Sequence, residues 1–242
     1  MSSASFYDNY LKQQALSGIN DRIYLLYKRA LQHGLNTNSN VLEIGCGIGT
    51  LTYLLAQKVK QGRIEAMDLS PASIEFARRY ITKENIEIYP GDIIEKDPLL
   101  PAYDLILLFD VLEHILVEKH GTLFKRIASR MDDKSLLLIN IPNPGYILYD
   151  QQHNSSVLQE LDQALEQNVL VKNFANAGLE IQQFNTYSVW VKNDYQFMVI
   201  RKQQPFREEV LSEKRGLFAK GRTWLWRRWR KLRYPYPPKG SY

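Results

Sequence analysis

Between residues 41 and 141 short apolar runs alternate with helix-patterned stretches, and this alternation restricts the fold more tightly than any other feature of the chain. The pattern predicts strands at residues 41–45, 63–68, 85–89, 103–109 and 135–141, with helices at 50–59, 71–80 and 119–130. Residues 103–109 are nearly all apolar, the mark of a central strand covered on both faces. Strands alternating with helices build right-handed βαβ units. The expected fold class is therefore α/β: a Rossmann-like doubly wound sheet, mostly parallel, with helices on both faces. Past Pro142 the signal changes. Residues 143–146 read as a turn-rich loop that continues to 154, and 156–177 as a helix, while 180–186 and 195–201 predict a terminal antiparallel hairpin joined through 190–194. Ahead of the alternating region, Ile19, Ile23, Leu26, Ala30 and Leu31 recur at mostly three- and four-residue intervals, predicting one or two helices within residues 2–35.

A chain of 242 residues with 45% hydrophobic and 24% charged residues has a globular composition and suffices for one α/β domain with additions. Its single cysteine, Cys46, excludes an intramolecular disulfide and a four-cysteine zinc site. The longest apolar runs, 105–109 and 136–139, fall far short of the roughly 20 residues a bilayer demands. The first residues carry neither the basic nor the apolar region of a secretory signal, so the expected location is cytoplasmic, soluble or peripheral at the inner face of a membrane. The net charge of +5 conceals a split: residues 201–242 hold 13 Lys and Arg against 3 Glu, and the rest of the chain holds 18 basic and 23 acidic residues. A body of net negative charge disfavours a general nucleic-acid enzyme. The expected organisation is an N-terminal helical lid at 1–37, an α/β domain at 38–203 and a basic aromatic tail at 204–242.

The segment Glu43-Ile44-Gly45-Cys46-Gly47-Ile48-Gly49 falls between the first strand and the first helix of the alternating region, where glycines permit a tight turn close to a ligand. Asp68 lies 19 residues past Gly49 at the end of the second strand, where a carboxylate can accept hydrogen bonds from both hydroxyls of a ribose. A dinucleotide site spaces its glycines G-x-G-x-x-G and sets a pyrophosphate on the helix N-terminus. Here the spacing is E-x-G-x-G-x-G, and Glu43 opposes a pyrophosphate while attracting an ammonium or a hydroxyl. The pattern asks for a positively charged nucleoside without phosphates.

At these positions the sequence resembles the class I S-adenosylmethionine-dependent methyltransferases. Residues 41–50 resemble their glycine-rich first motif, which implies cofactor contacts from Glu43, Gly45, Cys46, Gly47 and Gly49. Ala66-Met67-Asp68-Leu69-Ser70 resembles the ribose-binding acid and its turn, implying Asp68 and Leu69. Gly91-Asp92-Ile93 resembles the adenine-contacting motif, with Asp92 near the amino group and Ile93 against the ring. Residues 103–114 resemble the fourth-strand motif, whose end, at Phe109 and Asp110, lies beside the methionine part of the cofactor. The resemblance covers about residues 38–200 and implies S-adenosyl-L-methionine as cofactor. Against these roles stand plainer ones: Gly49 serving helix packing, and Cys46 filling space rather than acting as a nucleophile.

Methyl transfer from a sulfonium has a neutral leaving group, so alignment supplies much of the rate and a hydroxyl acceptor alone plainly needs a base. His114, after the fourth strand, is the candidate base, and His153 is a weaker one. Tyr7 and Tyr10 are candidates for closing a lid over the cofactor. No metal is expected, because the fifth strand ends in Asn140-Ile141-Pro142-Asn143 without the carboxylate that metal-dependent catechol methyltransferases place there. Base methylation is disfavoured: Asn143-Pro144-Gly145-Tyr146 is similar to the Asn-Pro-Pro-Tyr box of DNA amino-methyltransferases but follows the wrong strand, and Cys46 is misplaced for a cytosine-C5 nucleophile.

Residues 214–233 interleave Leu217, Phe218, Trp224, Leu225, Trp226, Trp229 and Leu232 with nine Lys and Arg, a pattern fit for an anionic membrane surface and less so for nucleic acid. The expected function is methyl transfer from S-adenosylmethionine to a hydroxyl of a small-molecule, glycan or lipid-linked acceptor. The rivals are an RNA methyltransferase recruited by the tail and a non-catalytic adaptor that binds the cofactor.

Overall fold

The protein is described by a computed structural model over residues 14–155, 158, 161–206 and 217–234. Helix α1 (Asp21–Gln32) leads into β1 (Val41–Ile44), α2 (Thr50–Lys58), β2 (Ile64–Asp68), α3 (Pro71–Tyr80), β3 (Ile86–Pro90) and β4 (Leu105–Phe109). Two 3-10 turns, Leu112–His114 and Val117–Lys119, precede α4 (His120–Ser129) and β5 (Leu136–Pro142). Then come α5 (Pro144–His153), α6 (Gln167–Asn176), β6 (Leu179–Tyr187), β7 (Tyr195–Lys202) and, in the tail, α7 (Leu217–Arg233). The strands form one sheet in the order β3-β2-β1-β4-β5-β7-β6. Pairings from β3 to β5 are parallel, and β5-β7 and β7-β6 are antiparallel.

The period-2 alternation of the strands decides the two cores. Leu42, Ile44, Ile106 and Leu108 face one layer, packing with Phe124 of α4 and Phe174 of α6. Val41, Leu105, Leu107 and Phe109 face the other, against Leu26 of α1, Leu55 of α2 and Phe197 of β7. All five residues of β4 are buried, as a strand covered on both faces requires. Each such leucine contributes roughly 1.5–3 kcal/mol when fully buried. Glu65, fully buried on β2, is satisfied by the hydroxyls of Tyr89 and Tyr103 and by the Leu99 N–H at 2.8 Å.

The region after β5 departs from expectation. Residues 144–153 are helical rather than a loop, because Asn143 caps them, its side chain accepting the Gly145 N–H at 3.0 Å, and Pro144 occupies the first helical position that suits its fixed φ. Residues 156, 157, 159 and 160 of the helix expected across 156–177 lie outside the described residues; of the rest, residues 161–166 are not helical and the helix is observed from Gln167. Ahead of it, the Gln163 N–H donates to the Glu113 carbonyl at 3.1 Å and its side-chain amide to the Ile115 carbonyl at 2.8 Å. These tertiary bonds replace the ladder a helix would have made.

The chain separates into two units, Met1–Gln203 and Gln204–Tyr242. The described part of the second is residues 204–206 and 217–234, the latter holding α7. Among the described residues no helix is long and apolar enough to cross a membrane. Tyr7 and Tyr10 lie outside the described residues.

Candidate active site

Strand β1 pairs with β2 on one side and with β4 on the other, so the chain order reverses there and a crevice opens beyond the carboxyl ends of β1 and β4. The glycine loop occupies it. Gly45, Gly47 and Gly49 have φ of 77°, 53° and 82°, a region that side chains other than glycine's enter at a cost. A Cβ on Gly45 would stand 2.1 Å from Val111 Cγ2, so the segment after β4 packs directly on the loop. A Cβ on Gly49 would meet Ile81 Cδ1 at 2.8 Å and Ala77 Cβ at 3.0 Å, which gives this glycine a packing role against α3. Gly47 faces the Gln14 side chain, whose amide stands 3.6 Å from a Cβ built there.

The loop is hydrogen-bonded to β2. Gly45 and Cys46 donate their N–H groups to the Met67 carbonyl at 2.7 and 3.0 Å, and the Gly47 N–H donates to Asp68 Oδ2 at 2.8 Å. Asp68 Oδ1 accepts the Ser70 N–H at 2.9 Å, and the Asp68 carbonyl accepts the Gly91 N–H at 2.9 Å. That last bond ties the Asp92-Ile93 loop to the same strand end. Asp92 accepts the Ile94 N–H at 2.8 Å, Ile93 is buried in the core, and Leu69 is 72% exposed.

Beneath the loop, Glu43 is 4% exposed and accepts the Thr52 hydroxyl at 2.6 Å. Burial pushes its carboxyl up to about 8; the Thr52 hydrogen bond opposes the shift and the charge of Asp68 adds to it. Cys46 is also buried, and desolvation with the charges of Glu43 and Asp68 drives its thiol well upward, a space-filling thiol rather than a nucleophile. The residues of this site therefore fit a cationic nucleoside: Glu43 gains a reason to ionise only beside a positive charge, and Asp68 already occupies the loop amide that a pyrophosphate would use.

At the end of β4, Asp110 adopts φ 55°, unusual for a residue with a side chain and costing roughly 1 kcal/mol or more. Its carboxylate accepts the Asn140 side-chain amide at 2.7 Å and pairs with Arg22 Nη1 at 2.8 Å. Burial raises its pKa against the pull of Arg22 and Asn140. Arg22 also donates to the Tyr195 hydroxyl at 3.0 Å, and its guanidinium lies 5.5 Å from the Trp190 ring centroid. The Tyr187 hydroxyl donates to Asn140 Oδ1 at 2.6 Å. The turn that carries Trp190 is fixed by buried Asp194, which accepts the Val189, Trp190 and Val191 N–H groups at 2.8, 2.9 and 3.0 Å. Phe109 packs beneath, 6.4 Å from Phe197.

His114 follows on the 3-10 turn. Its Nδ1 lies 2.7 Å from the Leu161 carbonyl and 3.0 Å from Asp162 Oδ1, and its Nε2 lies 4.0 Å from Glu113 Oε1. Burial disfavours the imidazolium, but Asp162, Glu113 and the Leu161 carbonyl outweigh it and push the pKa up to about 9. Buried Glu113 is shifted upward by desolvation and the neighbouring Asp110. His153 sits elsewhere: it ends α5, exposed and stacked on Tyr149 with ring centroids 4.2 Å apart. Among the described residues no group of three or more His, Cys, Asp or Glu is placed to hold a metal ion.

A mostly parallel sheet ended by an antiparallel β5-β7-β6 hairpin, with a glycine loop at the switch point, is a Rossmann-like fold of the kind seen in methyltransferase structures. Residues 41–134 match the family model described as a methyltransferase domain. The chain is similar to the malonyl-[acyl-carrier protein] O-methyltransferase of Priestia megaterium, 42% identical over 72 residues, covering 30% of this chain and 26% of that protein. It is also similar to the protein of the same name from Acetivibrio thermocellus, 40% identical over 116 residues, covering 48% and 39%. The chain thus matches about a quarter to two-fifths of the length of these curated relatives. In fold it resembles magnesium protoporphyrin IX methyltransferase from Synechocystis PCC 6803, solved with bound SAM, with TM-score 0.56 at 17% identity over 80% of this chain and 85% of that one.

Arg22, Asn140, Tyr187, Trp190 and Tyr195 had no signal in the sequence. Arg22 reads as the polar face of a helix, Asn140 and Tyr195 as strand residues, and Trp190 as part of the connection between the last two strands.

Proposed function

We propose that the chain transfers a methyl group from S-adenosylmethionine to an oxygen of a small-molecule, glycan or lipid-linked acceptor. The observation that carries this reading is the buried carboxyl of Glu43 beneath the glycine loop, beside Asp68, in a crevice whose polar groups suit a cation and oppose phosphates. When bound, the cofactor supplies an electrophilic methyl on a sulfonium. Glu43 and the Gly45–Gly49 loop hold its charged end, Asp68 its ribose, Asp92 and Ile93 its base, and the Phe109-Asp110 backbone the neighbouring strand end.

On the acceptor side, Asp110, Arg22, Tyr195 and Trp190 form a wall of fixed polar and aromatic groups beside the end of β4. His114 carries a proton at neutral pH, so it serves as base for a hydroxyl acceptor only toward alkaline pH. A cationic His114 would hold an acceptor that is already an anion, which needs no base. The O-methyltransferase names of the curated relatives support oxygen as the acceptor atom.

The test pairs calorimetric titration with S-adenosylmethionine and a labelled-methyl screen against hydroxyl- and carboxylate-bearing acceptors. Saturable binding together with an O-methylated product supports the reading. Binding without any transferred label leaves an adaptor, and absence of binding removes the proposal.

A further inference from the structure

Helix α7 lies outside everything the proposed reaction uses. Between Leu217 and Arg233 it carries seven Lys and Arg and not one Asp or Glu. Its large apolar side chains are uncovered: Trp224, Leu225, Trp226, Trp229 and Leu232 are 49–77% exposed. At 100° per residue, Leu225, Trp229 and Leu232 fall within one arc of about 60°. Arg227, Arg230 and Lys231 fall on the opposite side, and Arg222, Arg228 and Arg233 flank the apolar arc. The aromatic rings contact each other and the cations, Trp226 edge-on to Trp229 at 5.4 Å and the Arg228 guanidinium 5.5 Å from the Trp224 ring centroid.

We propose that α7 binds in the plane of an anionic lipid bilayer, with Leu225, Trp229 and Leu232 immersed at the headgroup–acyl boundary and its guanidinium and ammonium groups on lipid phosphates. Three features select this occupant. The charge of the helix is single-signed, so it complements an anionic surface without internal compensation. The apolar arc contains leucines, which gain nothing from stacking on nucleobases but do gain from entering hydrocarbon. The cations beside that arc are long side chains whose heads reach the phosphates while their stems stay apolar. Seven charges over 17 residues rule out a spanning orientation and leave a helix lying on the surface.

The experiment uses the full chain with phosphatidylcholine vesicles, with and without phosphatidylglycerol, at low and high salt. Flotation measures partitioning, and quenching of tryptophan fluorescence by bromine-labelled acyl chains measures depth. Binding is expected only with the anionic lipid and is expected to weaken with salt. Replacing Arg222, Arg228 and Arg233, the cations beside the apolar arc, by Gln should lower partitioning roughly a hundredfold, since each basic residue near such a surface is worth roughly a fivefold factor. Replacing Leu225, Trp229 and Leu232 by Ser should leave a salt-sensitive association and abolish the bromine quenching. Circular dichroism and a binding titration with S-adenosylmethionine check that each variant is folded. Unchanged vesicle binding in both variants overturns the proposal. So does tighter binding to single-stranded RNA than to anionic vesicles, with quenching by neither set of lipids.

Discussion

Glu43→Gln separates a carboxyl that exists to meet a positive charge from one that merely fills space. In the free protein, burial holds Glu43 near pKa 8 against 4.5 when unfolded. Between those values the folded chain keeps a proton that the unfolded chain has lost, so stability falls as pH rises from about 4.5 to about 8 and is flat above. The limiting cost is roughly 5 kcal/mol from a shift of that size. Glutamine keeps an acceptor for the Thr52 hydroxyl and removes the titration, so the variant is more stable than the parent at pH 9 and nearly equal to it at pH 5. Binding behaves oppositely. A cation beside Glu43 draws off its proton, and a pKa near 8 implies release of about 0.9 proton per cofactor bound at pH 7. Loss of one charge-assisted contact costs about 1.5–3 kcal/mol, a weakening of roughly 10- to 150-fold. Calorimetry in buffers of different ionisation enthalpy gives both the affinity and the proton count. A sulfonium partner for Glu43 weakens S-adenosylmethionine more than S-adenosylhomocysteine, and an ammonium partner weakens both alike. Equal affinities of parent and variant, with no difference in proton release, would refute the reasoning.

Three further outcomes follow from the same geometry. Asp68→Ala should weaken S-adenosylmethionine and 5′-methylthioadenosine together by roughly a hundredfold, because both carry the ribose; a loss confined to one of them contradicts the assigned contact. Gly45→Ala should lower the thermal midpoint by roughly 5–10 °C, since the new Cβ meets Val111 in a backbone region alanine avoids, and an unchanged midpoint shows that the loop can move away. Asp162→Asn should bring the His114 titration, followed by NMR, down from about 9 toward 6.5. The stability that His114 lends is complete below pH 6.5 and lost as pH climbs through 9, so the variant should show a smaller loss across that window.

The sheet was legible because β4 is apolar throughout and each crossover carries its own helix pattern. The placement of the glycine loop and its neighbouring acids was legible for a similar reason. Glu43, the glycines and Asp68 sit at the ends of consecutive strands, and their spacing is local. The cluster around Asp110 was not, since Arg22 reaches Asp110 and Tyr195 across 88 and 173 residues, and Asn140 joins Asp110 to Tyr187 only once β5 lies between β4 and β7. Helix α5 was misread because Asn143, Pro144 and Gly145 are turn residues in most settings, whereas an Asn cap followed by Pro begins a helix. Residues 161–166 were misread because hydrogen bonds to Glu113 and Ile115 govern them, and no periodicity records such partners.

A crystal structure of the chain grown with S-adenosylmethionine addresses the central claim without an intermediate assay. The account requires the ribose hydroxyls on the Asp68 carboxylate and the cationic end of the molecule over Glu43, between the glycine loop and Asp110. A nucleoside seated away from both acids, or the same crevice occupied by a phosphate-bearing nucleotide in a competing crystal, contradicts it.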